Sequence, residues 1–301
     1  MHFPAYLLLP AVAAAVYGVA TLCHKRGYAQ GAGVQQSFHW ANLIGMPVFA
    51  PLFFLSPRDP AAVEWWRPAV VSAMLYCGNL CTFAAVRRGD VSLVTPVLGT
   101  KVVFVALGVL ALSGQSLSAG LWAAAGLATL GILVMSRSDL RPGSANGTAI
   151  GLCLLAALFF GLTDVFIAEW VPRYGGNTFL ASIPEFIGLF SLVAILRPGG
   201  VSMRLTEVSR KWVLTGGALL MMQSLAMGLA LAFFHDPTGV NILYSTRGLW
   251  SVLLVWGVGR WFGNRERETA GRTAMWWRLG GTLIITAGVV LAVLERSSAG
   301  E

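Results

Sequence analysis

The chain alternates long apolar runs with short polar connections. Runs of about 20 residues, the length at which a helix crosses a hydrocarbon core of about 30 Å, occur ten times. They cover residues 5–23, 38–55, 69–86, 91–112, 118–135, 148–168, 179–196, 211–234, 239–258 and 276–294. The longest polar connection, residues 259–275, is too short for a soluble domain. The pattern predicts an all-α polytopic membrane protein with ten transmembrane helices.

Composition and charge agree with a membrane protein. The mean hydropathy is +0.70, and only 11% of the residues are charged, against roughly 25% in soluble domains. Most Lys and Arg residues fall in one set of alternating connections, and the positive-inside rule assigns that set to the cytoplasm. This predicts a multi-pass inner (plasma) membrane protein with both termini outside. Because these connections explain the net charge of +8, no nucleic-acid partner is expected. The four cysteines lack zinc-site spacing, so no metal or cofactor is expected either.

The sequence also contains an internal duplication. Moving the chain by 146 positions lays residues 90–112 over residues 236–258, with Thr100 on Thr246 and Lys101 on Arg247. The predicted halves are residues 1–138 and 139–301, with five spans each. Because five is odd, the second half enters the membrane in the opposite orientation. Two inverted five-helix repeats are typical of secondary transporters, whose substrate site lies near the bilayer midplane.

Lys101 and Arg247 are the most informative single residues. Each lies about ten residues inside its apolar run, or roughly 15 Å at the rise of an α-helix, which is half the hydrocarbon core. A charge at that depth is costly and marks a functional site by default. Asn241 and Tyr244 share a helical face with Arg247 and extend the predicted binding group. Structural pairing of both basic residues with buried acids is the competing interpretation.

Other polar residues in the spans are weaker candidates. Tyr76 and Asn79 on the third span and Gln223 on the eighth are predicted to line a cavity, although hydrogen bonds between helices would recruit the same residue types. Two acids, Asp164 and Glu185, are expected to act in proton coupling, as gate partners of the basic residues, or as binders of a substrate amine. Helix packing is the expected role of four glycines, namely Gly126, Gly131, Gly281 and Gly288.

Several short patterns carry a resemblance to a known family. They are Ala14-x-x-Tyr17-Gly18 with its counterpart Ala157-x-x-Phe160-Gly161, the passage with Ser92 and Pro96, and the spacing of Gly281 and Gly288. Through them the chain resembles the drug/metabolite transporter superfamily, and within it the EamA-like ten-span transporters. The resemblance implies secondary transport of small organic solutes through a central cavity. Members of the EamA-like family mostly have uncharged residues at the positions of Lys101 and Arg247, whereas basic residues there resemble those of the sugar-phosphate and nucleotide-sugar translocators of the same superfamily.

Three functions are consistent with the sequence. The first is alternating-access transport of a small anionic or zwitterionic metabolite, with protons as a possible coupling ion, by a monomer or homodimer that is not an enzyme. The second is export of cationic drugs or metabolites coupled to protons through Asp164 or Glu185. The third is a membrane enzyme acting on lipid phosphates, which would use a cytoplasmic basic cluster: His24, Lys25, Arg26, Arg87 and Arg88.

Overall fold

A computed structural model of the chain describes residues 8–55, 63–89, 94, 97–113, 118–136, 145–234, 236–264 and 271–298, and all regular secondary structure in them is helical. The α-helices are α1 (Leu8–Ala29), α2 (Val34–Phe49), α3 (Pro51–Phe54), α4 (Trp66–Arg88), α5 (Lys101–Gly108), α6 (Ala119–Ser136), α7 (Ala145–Trp170), α8 (Asn177–Leu196), α9 (Glu207–Phe234), α10 (Pro237–Tyr244), α11 (Arg247–Gly257) and α12 (Gly271–Ser298). Asp90, Ser92, Pro96 and the predicted repeat boundary at residues 138 and 139 lie outside the described residues.

Five helices in the described part of the chain are long and apolar enough to cross a membrane, namely α1, α4, α7, α8 and α9. Shorter apolar helical segments cover Leu98–Leu112 and Ala119–Met135. The protein is therefore a polytopic, all-helical membrane protein. The helix ends differ from the ends of the apolar runs by a few residues, and α1, for example, continues to Ala29. An apolar run ends at the first polar residues, whereas the helix continues through them.

Helix pairs from distant parts of the chain build the centre of the molecule. Helix α1 packs along α9, and α4 packs along α7. Helix α2 contacts α8 and α9, while α5 lies on α7 and α11 lies on α1. Helices α6 and α12 pack mainly on each other. The largest cluster of buried apolar side chains connects α1, α4, α7, α8 and α9, so the interior is formed by segments far apart in sequence.

Glycines allow the close approach of α6 and α12. A Cβ atom on Gly131 would lie 2.5 Å from the carbonyl oxygen of Gly281, and one on Gly288 would lie 2.9 Å from the carbonyl oxygen of Ala124. A Cβ atom on Gly281 would meet both Met135 and the Gly131 carbonyl oxygen. The packing prediction fails for Gly126, which is exposed and would place its Cβ in open space. Sequence spacing could not show which side of α6 faces α12.

We expect Gly281→Ala to destabilise the protein, because the added methyl group meets backbone that cannot rotate away. The expected loss is about 1–3 kcal/mol, the usual cost of overpacking. It should appear as a lower thermal unfolding temperature of purified protein in detergent. Gly126→Ala is the matched control and should not lower that temperature, because its methyl group meets no other atom and alanine favours a helix over glycine. Equal unfolding temperatures for the two variants would contradict the close contact between α6 and α12.

Candidate functional site

A cavity of about 150 Å³ lies between the central helices. Its wall is mostly apolar, but six of the residues predicted from the sequence line it: Asn79, Lys101, Asp164, Gln223, Tyr244 and Arg247. The helices that contribute them are α4, α5, α7, α9, α10 and α11. An apolar cavity with a few converging polar groups is the usual form of a small-molecule site.

Lys101 and Asp164 form a buried ion pair. The Nζ atom of Lys101, the first residue of α5, lies 2.5 Å from Oδ2 of Asp164 on α7. Both side chains are only 8% exposed. The two groups interact as an ion pair and not as a well-aligned hydrogen bond, since no described hydrogen bond of good geometry reaches Oδ2. Because each charge offsets the desolvation of the other, the pair contributes no net charge to the cavity.

Arg247 is buried without a compensating acid. It is 3% exposed, and no described carboxylate lies within ion-pair distance of it. Its guanidinium carbon is 5.2 Å from the ring centre of Tyr17 and 4.6 Å from that of Tyr244. Its Nε and Nη2 atoms have no hydrogen-bond partner in the described part of the chain. These atoms form the edge that donates two parallel hydrogen bonds to a carboxylate or phosphate.

The ring of Tyr244 lies between the two cations. Lys101 Nζ is 5.2 Å from the centre of this ring. This distance and the distance from the Arg247 guanidinium to the same ring both lie within the range of cation–π attraction. The Tyr244 hydroxyl donates a 2.7 Å hydrogen bond to Oε1 of Gln223, and its ring meets that of Tyr17 edge to face at 6.2 Å. Gln223 and Tyr17 thus fix a ring that contacts both basic residues.

The backbone changes its helical form directly before each basic residue. Leu98–Thr100 is a 3₁₀ turn, and the Lys101 amide bonds back to the Leu98 carbonyl. Before Arg247, the amides of Ser245 and Thr246 donate to carbonyls three residues earlier. The predicted continuous ninth helix is therefore wrong, since it is interrupted between α10 and α11. Such 3₁₀ stretches inside helices often mark hinges.

The structure places the other three predicted site residues outside the cavity lining. Tyr76 packs edge to face on Phe38, with ring centres 4.9 Å apart. Asn241 is buried, and its amide donates to the Pro237 carbonyl in its own helix at 2.8 Å. Glu185 is half-buried. The rotation of each helix decided these positions, and the residue types alone did not reveal it.

One face of α1 lines the cavity and escaped the sequence-based assignment. It carries Tyr17, Thr21, His24 and Tyr28, at intervals of three or four residues, the helical spacing that places side chains on one face. That periodicity was readable in the sequence. His24 was instead assigned to a surface cluster, although it is only 4% exposed.

Comparison with known proteins agrees with the architecture. No curated protein matches the sequence. Among solved structures 28 chains match, and one crystal structure of a protein with 15% identity superposes with a TM-score of 0.64, with 100% of each chain covered. At that identity the likeness concerns the fold alone. The profile of the EamA-like transporter family matches residues 4–137. Over these residues, a little under half of the chain, the sequence is similar to the EamA-like transporter family, within the drug/metabolite transporter superfamily.

Proposed function

We propose that this protein is a secondary transporter that moves a small anionic or zwitterionic organic solute across the inner membrane by alternating access. The family supports transport of small solutes across a membrane. The observation that favours an anionic solute is the state of Arg247, a buried guanidinium with an unpartnered Nε–Nη2 edge in a cavity. Arg247 is the group that binds the anion, and Asn79, Gln223 and Tyr244 shape the pocket around it.

The balance of charge in the cavity carries this proposal. Lys101 and Asp164 neutralise each other, whereas Arg247 adds one positive charge that no described acid offsets. A buried charge without a partner is costly in a low-dielectric site. A bound carboxylate or phosphate removes that cost and gains two charge-assisted hydrogen bonds. A cation would face repulsion at the same place.

Helix contacts support a ten-span organisation as two inverted repeats, residues 1–138 and 139–301. If α1, α2, α4, α5 and α6 correspond to α7, α8, α9, α10–α11 and α12, exchange of the halves converts one contact into another. The α1–α9 contact becomes α7–α4, and α1–α11 becomes α7–α5. Contacts α2–α8 and α6–α12 map onto themselves. A pseudo-two-fold axis between the two halves would produce this exchange of contacts.

Asp164 is the stronger candidate for proton coupling. It contacts Lys101 directly, so protonation of its carboxylate would remove the ion pair that joins α5 to α7. Glu185 lies outside the cavity lining and lacks this connection. A transporter whose central ion pair opens on protonation would couple proton movement to the rearrangement of these helices.

The two alternative functions receive less support. A cationic exporter needs a free acid in the cavity, but Asp164 is already paired with Lys101. An enzyme acting on lipid phosphates needs its basic cluster together at the surface. His24 is buried in the cavity wall, and Lys25 Nζ donates to the Gly89 carbonyl at 2.7 Å. Formation of a lipid product by purified protein would nevertheless reverse this ranking.

Arg247→Gln should abolish anion binding, because the variant loses both the charge and the bidentate edge. A screen of organic acids, amino acids, sugar phosphates and cationic drugs by thermal stabilisation identifies a ligand. Uptake of that ligand into proteoliposomes should then fall at least about tenfold, since loss of one partner of a buried charged pair costs more than 1.4 kcal/mol. Arg210→Gln, at an exposed position on α9, should transport normally. Unchanged uptake by the Arg247 variant would remove this residue from the site.

Lys101→Met and Asp164→Leu should each destabilise the protein by about 3–5 kcal/mol, because each leaves one buried charge unpaired. The double variant should be more stable than the sum of the two losses predicts, because no lone charge remains. Thermal unfolding in detergent of all four proteins measures the coupling. Additive losses would show that the ion pair does not form.

Asp164→Asn should remove the proton dependence of transport. The parent protein is expected to respond to an imposed pH gradient in proteoliposomes, whereas the amide cannot be protonated in this range. Glu185→Gln, outside the lining, is the control and should keep the response. If the Asp164 variant and its parent respond alike, Asp164 is not the coupling group.

A further inference from the structure

A second group of unpartnered polar atoms lies in the same cavity, on α1. His24 lines the cavity and is 4% exposed, yet among the described residues neither Nδ1 nor Nε2 has a hydrogen-bond partner. The Tyr28 hydroxyl, one turn farther along α1, is buried in the same cavity wall. Buried polar groups are nearly always hydrogen-bonded, so an orphan imidazole in a cavity wall indicates a place for a ligand group.

The surroundings of His24 are aromatic. Its ring meets Phe83 edge to face, with centres 5.1 Å apart, and stacks on Tyr28 at 6.3 Å. These contacts fix the plane of the imidazole without using either nitrogen. In its neutral form an imidazole has one N–H donor and one acceptor nitrogen. A hydroxyl or primary amide, which can both donate and accept, is the chemical group that matches it.

The distance from Arg247 sets the length of the ligand. Arg247 lies over Tyr17, and His24 follows Tyr17 by seven residues on the same face of α1. At the α-helical rise this separates the two positions by about 10 Å. Apolar side chains, among them Phe160, Leu220 and Met221, contribute to the wall of the same cavity.

We propose that His24 forms a second subsite, which binds a neutral hydrogen-bonding group at one end of an elongated organic anion whose charged end binds Arg247. This inference rests on the proposed function and specifies its substrate class. The substrate is an anion with an apolar middle and a terminal hydroxyl or amide about 10 Å from its charge. A site that hydrogen-bonds a ligand hydroxyl discriminates against the analogue without it, because the site's own polar groups are then left unpaired.

The test compares the affinities of matched pairs of carboxylates for the purified full-length protein by isothermal titration calorimetry. We expect 8-hydroxyoctanoate to bind about tenfold more tightly than octanoate. The shorter 4-hydroxybutanoate cannot span both subsites and should show no such advantage over butanoate. In His24→Phe the advantage of 8-hydroxyoctanoate should disappear while octanoate still binds. His24→Gln, which keeps a donor and an acceptor, should retain part of it.

His39→Phe is the matched control, because His39 is also 4% exposed but lies outside the described cavity lining. This variant should keep the tenfold ratio. Equal affinities for octanoate and 8-hydroxyoctanoate in the parent protein would overturn the subsite, as would a preserved ratio in His24→Phe. If the parent binds neither carboxylate, and Arg247→Gln leaves uptake of the ligand found by the screen unchanged, the proposed anion site itself fails. The parent's selectivity decides the question even if a variant does not fold.

Discussion

The buried charge of Arg247 is the constraint around which the centre of this protein is organised. Arg247 is 3% exposed in the wall of a mostly apolar cavity, and apolar side chains cannot solvate a guanidinium. The structure supplies two aromatic faces, those of Tyr17 and Tyr244, but leaves the Nε–Nη2 edge without a partner. Partial stabilisation of this kind keeps the group in the cavity and leaves most of its binding capacity for an anion.

The Lys101–Asp164 pair gives the second basic residue a different character. Although Lys101 corresponds to Arg247 in the duplicated sequence, Asp164 lies beside Lys101, whereas no described acid lies beside Arg247. In the proposed transporter, one of these two positions is thus internally neutral, and the other is open to an anionic ligand. Tyr244 contacts both cations, so a change at one of them alters the electrostatic environment of the other across a single ring. This proximity gives the proposed coupling between substrate and proton a direct physical route.

The helix arrangement explains how a face of α1 comes to line the cavity. Helix α1 runs beside α11 at one level and along α9 over much of its length, so one face of α1 lines the cavity from Tyr17 to Tyr28. The 3₁₀ turns before Lys101 and Arg247 lie where α5 and α11 begin. Rearrangement at these turns would move the basic residues relative to α1 while the long helices stay intact.

The sequence by itself determined the class of protein, the helical runs and the two basic residues within them, because hydropathy and helical rise are local properties of the chain. It also supplied the family's short motifs. Only the tertiary structure decided that Asp164 pairs with Lys101 and not with Arg247, that Tyr76 and Asn241 lie outside the cavity lining, and that His24 belongs to it. Those outcomes depend on the rotation of each helix about its axis. This rotation is set by packing between segments as distant in sequence as α1 and α9. The spacing of residues within one helix therefore does not predict it.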